Sequence, residues 1–464
     1  MSQLIRERWP AGIAAAVSVL CLLAAGCTGI GAIGGTPGGT TVTVAIVANP
    51  QMRDVETLTP QFERSHPGIR VHYVTLPENE ARQKITESVA TGSREFDVVM
   101  ISNYETPMWA RNGWLTDLQP LADRTPGYDP ADFIGPIRSS LSYRGHLYSV
   151  PFYGESSFLM YRKDLFAAHH LTMPLHPTWR QVAHFADRLH DPRHGTAGIC
   201  LRGAPGWGEV LAPLDTVINT FGGRWYDMRW NAQLTSPAVQ RAVSFYVGLV
   251  RRAGEPAAAT AGFTECATQF AQGNAAMWYD ATSAAGLLED PATSTVAGKV
   301  GYVAAPVAAT ASSGWLYSWS LGIPTTTVHK DAAWQFLAWA TSRDYIKLVG
   351  NKLGWARLPP GSRESTYTIP QYREVSRPFG GPTLTGIRQA DPEHPTVQPV
   401  PYTGVQFLDI PEFQDLGTRV SQQINAAIAG QQSVRAALDQ SQQYAQTVGR
   451  SYQQPGHREG HHGR

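Results

Sequence analysis

Residues 41–101 open with Thr41-Val-Thr-Val-Ala-Ile-Val47, pass through Phe62-Glu-Arg-Ser-His-Pro-Gly-Ile-Arg70 and close with Phe96-Asp-Val-Val-Met-Ile101. The first run is β-branched and almost without charge, which reads as a buried strand. Arg53 to His66 reads as a helix with Leu58 and Phe62 at helical spacing, and Gly68 breaks it before a second strand at Ile69 to Val74. A helix over Glu80 to Ala90, the turn Thr91-Gly92-Ser93 and the strand Phe96 to Ile101 complete the unit. Strands alternating with helices predict an α/β fold with a doubly wound, mostly parallel sheet. In such sheets ligands bind beyond the carboxyl ends of the strands, so the loops Ala48 to Gln51 and Ser102 to Pro107 are expected to face one site.

Outward from this unit the pattern changes. Tyr143 to Glu155 reads as a turn and strand leading into Phe158-Leu-Met-Tyr-Arg-Lys163, a crossover between lobes. Helices follow, among them Ser236 to Arg252 with Ser236 as N-cap and Pro237 at the first helical position. Ala275 to Asp280 reads as a strand, Gly314 to Ile323 as a return crossing, Asp331 to Thr341 as a helix of the first lobe, and Leu416 to Gln453 as a helical end. A chain of 464 residues exceeds one hydrophobic core. The expected division is a signal at 1–26, a tether at 27–40, a first lobe from 41–150 and 318–358, a second lobe from 151–317 and 359–453, and a disordered tail at 454–464.

Arg6 and Arg8 precede an uncharged stretch from Ala11 to Ala25 that ends at Gly26 and Cys27, the layout of a secretory signal and too short to span a bilayer comfortably. The small residues after Cys27 can bury nothing and read as a flexible tether. With 42% hydrophobic and 16% charged residues and a formal net charge of +1, the chain has the composition of a soluble globular protein and no electrostatic footprint for nucleic acid. Thirteen tryptophans require either an aromatic core or rings lining a ligand site. Once Cys21 and Cys27 are set aside, Cys200 and Cys266 remain. In an oxidising exterior they form a disulfide or stay two separate buried thiols, and the bridge is the expectation taken forward.

Leu23-Ala-Ala-Gly-Cys27 resembles a bacterial lipoprotein lipobox, with Ala24 where such boxes usually have Leu, and so implies a lipid on Cys27. The stretches Phe62 to Arg70, Phe96 to Val99, Ala110-Arg-Asn-Gly-Trp-Leu115 and Pro151 to Lys163 resemble the maltose-binding-protein-like class of extracellular solute receptors over essentially the whole mature chain. Cys200-Leu-Arg-Gly-Ala-Pro-Gly-Trp-Gly-Glu209, Asn219-Thr-Phe-Gly-Gly-Arg-Trp225, Met277-Trp-Tyr-Asp-Ala-Thr282, Ser313-Gly-Trp-Leu-Tyr-Ser-Trp319 and Leu353-Gly-Trp-Ala-Arg357 are similar to its sorbitol/mannitol-binding branch. The resemblance implies two α/β lobes, each a doubly wound, mostly parallel sheet flanked by helices, with a ligand cleft between them. It further implies a lipid-anchored, extracytoplasmic, monomeric receptor without cofactor or metal, which hands an acyclic polyol or a sugar to the permease of an ABC importer whose ATPase is a separate chain. Carried over by position, it places Asn49, Gln51, Asn103, Tyr104 and Glu105 on first-lobe ligand loops and Glu155 at the crossover. Arg202, Trp207 and Asp280 fall on the second lobe, Trp315, Tyr317 and Trp319 on the return crossing, and Arg357 in the Gly-Trp-x-Arg block.

These residue types suit a polyol. Carboxylates accept from neighbouring hydroxyls in charge-assisted bonds, a guanidinium donates two in fixed geometry, and indoles cover C–H faces, with Trp207 and Trp315 the expected stacking rings. The same carboxylates admit a reading from another class, an exported glycoside hydrolase pairing Glu155 with Asp280 or Glu105. A purely structural surface lipoprotein is a third. Gly29-Ile-Gly-Ala-Ile-Gly34 matches a dinucleotide fingerprint only in letters, because it precedes the first strand. His457, His461 and His462 lie in the tail without fixed geometry for a metal.

Overall fold

The structure, a computed structural model, describes residues 39–454. The signal, Cys27, most of the tether, the glycine run and the three tail histidines lie outside the described residues.

Among the described residues, and apart from a short hairpin of Ser142–Tyr143 and His146–Leu147, eight strands build two sheets: β1 Thr40–Val47, β2 Ile69–Leu76, β3 Val98–Ser102, β4 Ser149–Glu155, β5 Ser157–Arg162, β6 Met277–Ala281, β7 Val300–Ala304 and β8 Tyr317–Gly322. The first sheet has the order β2-β1-β3-β8-β4 and the second β6-β5-β7. In the first, β1 lies parallel to β2 and β3, as the alternation of residues 41–101 requires, and β8 is antiparallel to β3 and β4. The second sheet corrects the expectation of a mostly parallel sheet in each lobe, for β5 is antiparallel to both its neighbours. The cause is connectivity: β5 carries the chain away from the crossover at Ser156, whereas β6 and β7 both run back towards it, β7 to deliver the return crossing. Among the described residues parallel pairing in this lobe takes the form of isolated bridges, from Thr178 to Val307, from Ala197 to Ala275 and from Cys200 to Trp278.

The helices that matter for the site are α1 Pro50–Ser65, α2 Glu78–Ala90, α3 Glu105–Arg111, α4 Pro237–Ala253, α5 Phe263–Ala271, α6 Lys330–Ala340, α7 Phe413–Ile428 and α8 Val434–Gln453. Helix α1 starts at Pro50 because Asn49 caps it, its side chain accepting from Met52 N at 2.9 Å. Helix α6 packs on α1 through Phe336 and Phe62, 5.5 Å between ring centroids. The helical end is two helices, broken where Gly430 adopts φ +76°.

The lobe divisions also differ from the expected ones. Strand β4 stays hydrogen-bonded to β8 as far as Glu155, so residues 151–155 belong to the first sheet. Beyond Leu358, Ser362 O accepts from Ile134 N, and the fully buried Arg363 donates to Asp132 and to the carbonyls of Tyr128 and Thr341, which holds this segment on the first lobe. Among the described residues no helix is long and apolar enough to cross a membrane.

Candidate functional site

The carboxyl ends of the first-lobe strands converge with second-lobe loops on a cavity of about 40 Å³. Asn49 follows β1, Glu78 and Arg82 stand one helical turn apart at the start of α2 after β2, and Tyr153 and Glu155 close β4. Tyr317 and Trp319 come from β8. From the second lobe come Arg202, Gly208, Phe263, Ser283, Gln406 and Phe407.

A buried guanidinium stands on each side. Arg82 donates to Glu78 at 3.0 Å, to Glu105 at 3.1 Å and to the Tyr317 hydroxyl at 2.6 Å, while the rings of Trp207 and Trp319 lie 4.1 and 4.5 Å from its central carbon. Glu105 is itself held by the Ser102 amide and hydroxyl. Arg202 binds Asp280 through two parallel bonds of 2.8 and 2.6 Å and gives a third to Gly208 O. Asp280 has no exposure and also accepts from Trp278 Nε1 and Ala281 N.

Glu155 lies between these systems. Its partner is the Ser283 hydroxyl at 2.5 Å. Burial pushes its carboxyl up to about 8, against the Ser283 bond and the charge of Arg202, with the nearby Asp280 adding to the rise. Gln406 is buried, and its Oε1 has no hydrogen-bond partner. Such an atom facing a cavity asks for a donor.

Of the residues expected from sequence, Asn49, Glu155, Arg202 and Tyr317 line this cavity. Gln51 reaches across to Ser283 O at 3.4 Å on its rim. The others are placed differently. Asn103 is bound to the backbone of the return crossing, accepting from Ser318 N at 2.9 Å. Tyr104 donates to Ile410 O and packs on Trp207 and Phe407. Glu105 and Asp280 serve the two guanidiniums from behind, and so neither is free to act as a second carboxylate of a hydrolase. Trp207 lies on Arg82, outside the cavity lining. Trp315 is fully buried against Tyr279 and does not line this cavity. Arg357 pairs with Asp54 and lines a neighbouring cavity of about 270 Å³ that also touches Gln51 and Ser283. Cys200 and Cys266 are joined in a disulfide, with 5.6 Å between their Cα atoms.

Glu78 and Arg82 were within reach of sequence reasoning, because the strand-end rule that selects the loops after β1 and β3 applies equally after β2. Gln406 and Phe407 come from an irregular segment with no periodicity to mark it.

A sequence model described as bacterial extracellular solute-binding protein matches residues 49–347, and the chain belongs to that family, the two-lobed receptors of ABC importers. A mannitol-binding protein of Pseudomonas aeruginosa is 42% identical over 427 residues, 92% of this chain and 96% of that one. A solute-binding protein from Agrobacterium vitis solved with bound D-mannitol superposes with a TM-score of 0.88 at 45% identity, covering 90% of this chain and 100% of its own. One from Agrobacterium radiobacter in complex with ribitol gives 0.76 at 25% identity, covering 89% and 99%.

Proposed function

We propose that this receptor captures an acyclic polyol of the mannitol class and delivers it, closed between its lobes, to the permease of an ABC importer. The observation that carries the reading is the cavity wall itself: a carboxyl at Glu155, an unpartnered Gln406 oxygen, two buried guanidiniums bordering the space and the faces of Phe263, Phe407 and Trp319. A row of hydroxyls along a flexible carbon chain satisfies such a wall, each hydroxyl both donating and accepting, with the C–H faces against the rings. The polyols held by two related receptors support the same class. In this reading the chain acts as a monomer without cofactor or metal. A lipid on Cys27 holds it to the outer face of the cell membrane, and the permease and ATPase are separate chains.

Thermal unfolding in the presence of D-mannitol, D-sorbitol, ribitol, erythritol and maltose tests the ligand class, since a ligand bound only by the folded state raises the midpoint by mass action. A hexitol is expected to give the largest rise. A rise with maltose alone would move the assignment to cyclic sugars within the same family. For the anchor, Cys27→Ala is expected to appear in the medium or as unprocessed precursor. Membrane-bound protein of wild-type size would refute lipidation.

A further inference from the structure

The loop Pro205-Gly-Trp-Gly208 stands on the second lobe, yet it is shaped by the first. Asn79 on α2 donates to Pro205 O at 3.1 Å, and the Trp207 ring lies 4.1 Å from the Arg82 guanidinium carbon. A Cβ at Gly206 would stand 2.5 Å from the Asn79 side chain, and one at Gly208 would stand 2.4 Å from the Glu78 carboxylate and 2.9 Å from Arg82 Nε. Gly206 has a second reason to be glycine in its φ of +141°, whereas for Gly208 only the approach of α2 excludes a side chain. The two glycines mark where the lobes come closer than any side chain between them allows.

Arg82 is prepared for this contact from within its own lobe. Glu78, Glu105 and the Tyr317 hydroxyl take up its donors, and Trp319 lies 4.5 Å from its central carbon, so the guanidinium plane is set before the second lobe arrives. A planar, weakly hydrated cation gains attraction from an indole face. Trp207 supplies that face from across the cleft, backed by Tyr104, Phe407 and Phe413. Each of these contacts joins one protein group to another across the cleft or within a lobe.

We propose that Arg82 and the Gly206-Trp207-Gly208 loop form a ligand-independent latch, which gives the closed arrangement a measurable population before any solute enters. Trp207 thereby seals the lobes and does not stack on the solute. The inference rests on the reading of the molecule as a two-lobed receptor that opens and closes, and not on the identity of its ligand. Where the closed arrangement is the one that holds the solute, apparent affinity rises in proportion to the fraction of ligand-free protein already closed.

The test is Gly208→Val in the full chain. The three atoms nearest a Cβ at this position all belong to Glu78 and Arg82 of the opposite lobe, so the added side chain meets that lobe on closure, and because Gly208 also lines the cavity the ligand-free readout decides the test. Small-angle scattering without ligand is expected to give the variant a larger radius of gyration than wild type, with an unchanged unfolding midpoint. Its affinity for D-mannitol by calorimetry is expected to fall at least tenfold. Arg82→Lys, which keeps the charge and loses the plane, is expected to shift both readouts the same way and replaces Gly208→Val should that variant unfold. Identical ligand-free scattering of wild type and both variants overturns the latch, whatever happens to affinity. If scattering differs and no form binds D-mannitol, the latch stands and the polyol assignment falls.

Discussion

The two guanidiniums that face the cleft are held in opposite ways. Arg202 is fixed inside its own lobe by a bidentate bond to a carboxylate without solvent exposure, and that carboxylate is fixed in turn by Trp278 and the backbone of β6. Arg82 spreads its donors over three groups of the first lobe and leaves its stacking to rings, one of which belongs to the other lobe. A charge pair closed upon itself is a structural member that happens to border the cleft. A cation whose surroundings are complete only when the lobes meet belongs to the motion.

The largest effect should therefore come from Asp280. Asp280→Ala removes the bidentate partner of the buried Arg202 and leaves it only the longer contact to Glu209 at 3.5 Å, and is expected to cost about 3–5 kcal/mol of folding stability, read by denaturant unfolding. Glu105→Gln, the corresponding step beside Arg82, leaves Glu78 and Tyr317 in place and is expected to cost distinctly less. Equal losses would erase the difference between the two sides.

Next in size is Glu155, which sits between the two systems. Glu155→Gln keeps the shape but fixes a carboxamide where a carboxyl can accept through both oxygens and ionise against a solute, and binding of D-mannitol is expected to weaken by about 1.5–3 kcal/mol with the fold intact. Calorimetric affinity within about twofold of wild type would make Glu155 a brace of the crossover rather than a ligand group.

The smallest effect lies in the pH dependence of the ligand-free protein. Burial raises the Glu155 carboxyl from its ordinary 4.5 to about 8. Its contribution to stability is complete below 4.5 and is lost as pH rises through the window up to 8, because the unfolded chain releases this proton first. Between pH 6 and 7 wild type should lose about 1 kcal/mol more than Glu155→Gln. Parallel denaturation curves at the two pH values would show that Glu155 is ionised in the empty cleft.

The first sheet was legible in the sequence because its evidence is local. Val42, Val44 and Ile46 are fully buried, and the helix between β1 and β2 shows its period in Leu58 and Phe62. The direction of β5 was not legible, since an apolar run such as Phe158-Leu-Met reads alike in a parallel or an antiparallel sheet. In the site, Glu155 and Tyr317 were found at the ends of the crossover strands. Trp207 and Trp315 are hard to read for one reason: an indole beside glycine or at a crossing satisfies core packing, lobe contact and ligand stacking equally, and only its neighbours in space tell these apart. Gln406 and Phe407 left no pattern at all.

Glu155 and Tyr317 are register partners on β4 and β8, the two strands by which the chain leaves and re-enters the first sheet. Partners in one ladder are tied to each other within the first lobe, so in the reading of a receptor that opens and closes the floor of the cleft keeps its form. A solute that lands there meets a prebuilt surface, and its encounter rate owes little to the opposite wall. The second lobe acts afterwards, on departure. Substitutions in Glu155 should alter what the receptor selects, whereas those in the loop at Trp207 should alter chiefly how long it keeps what it has selected.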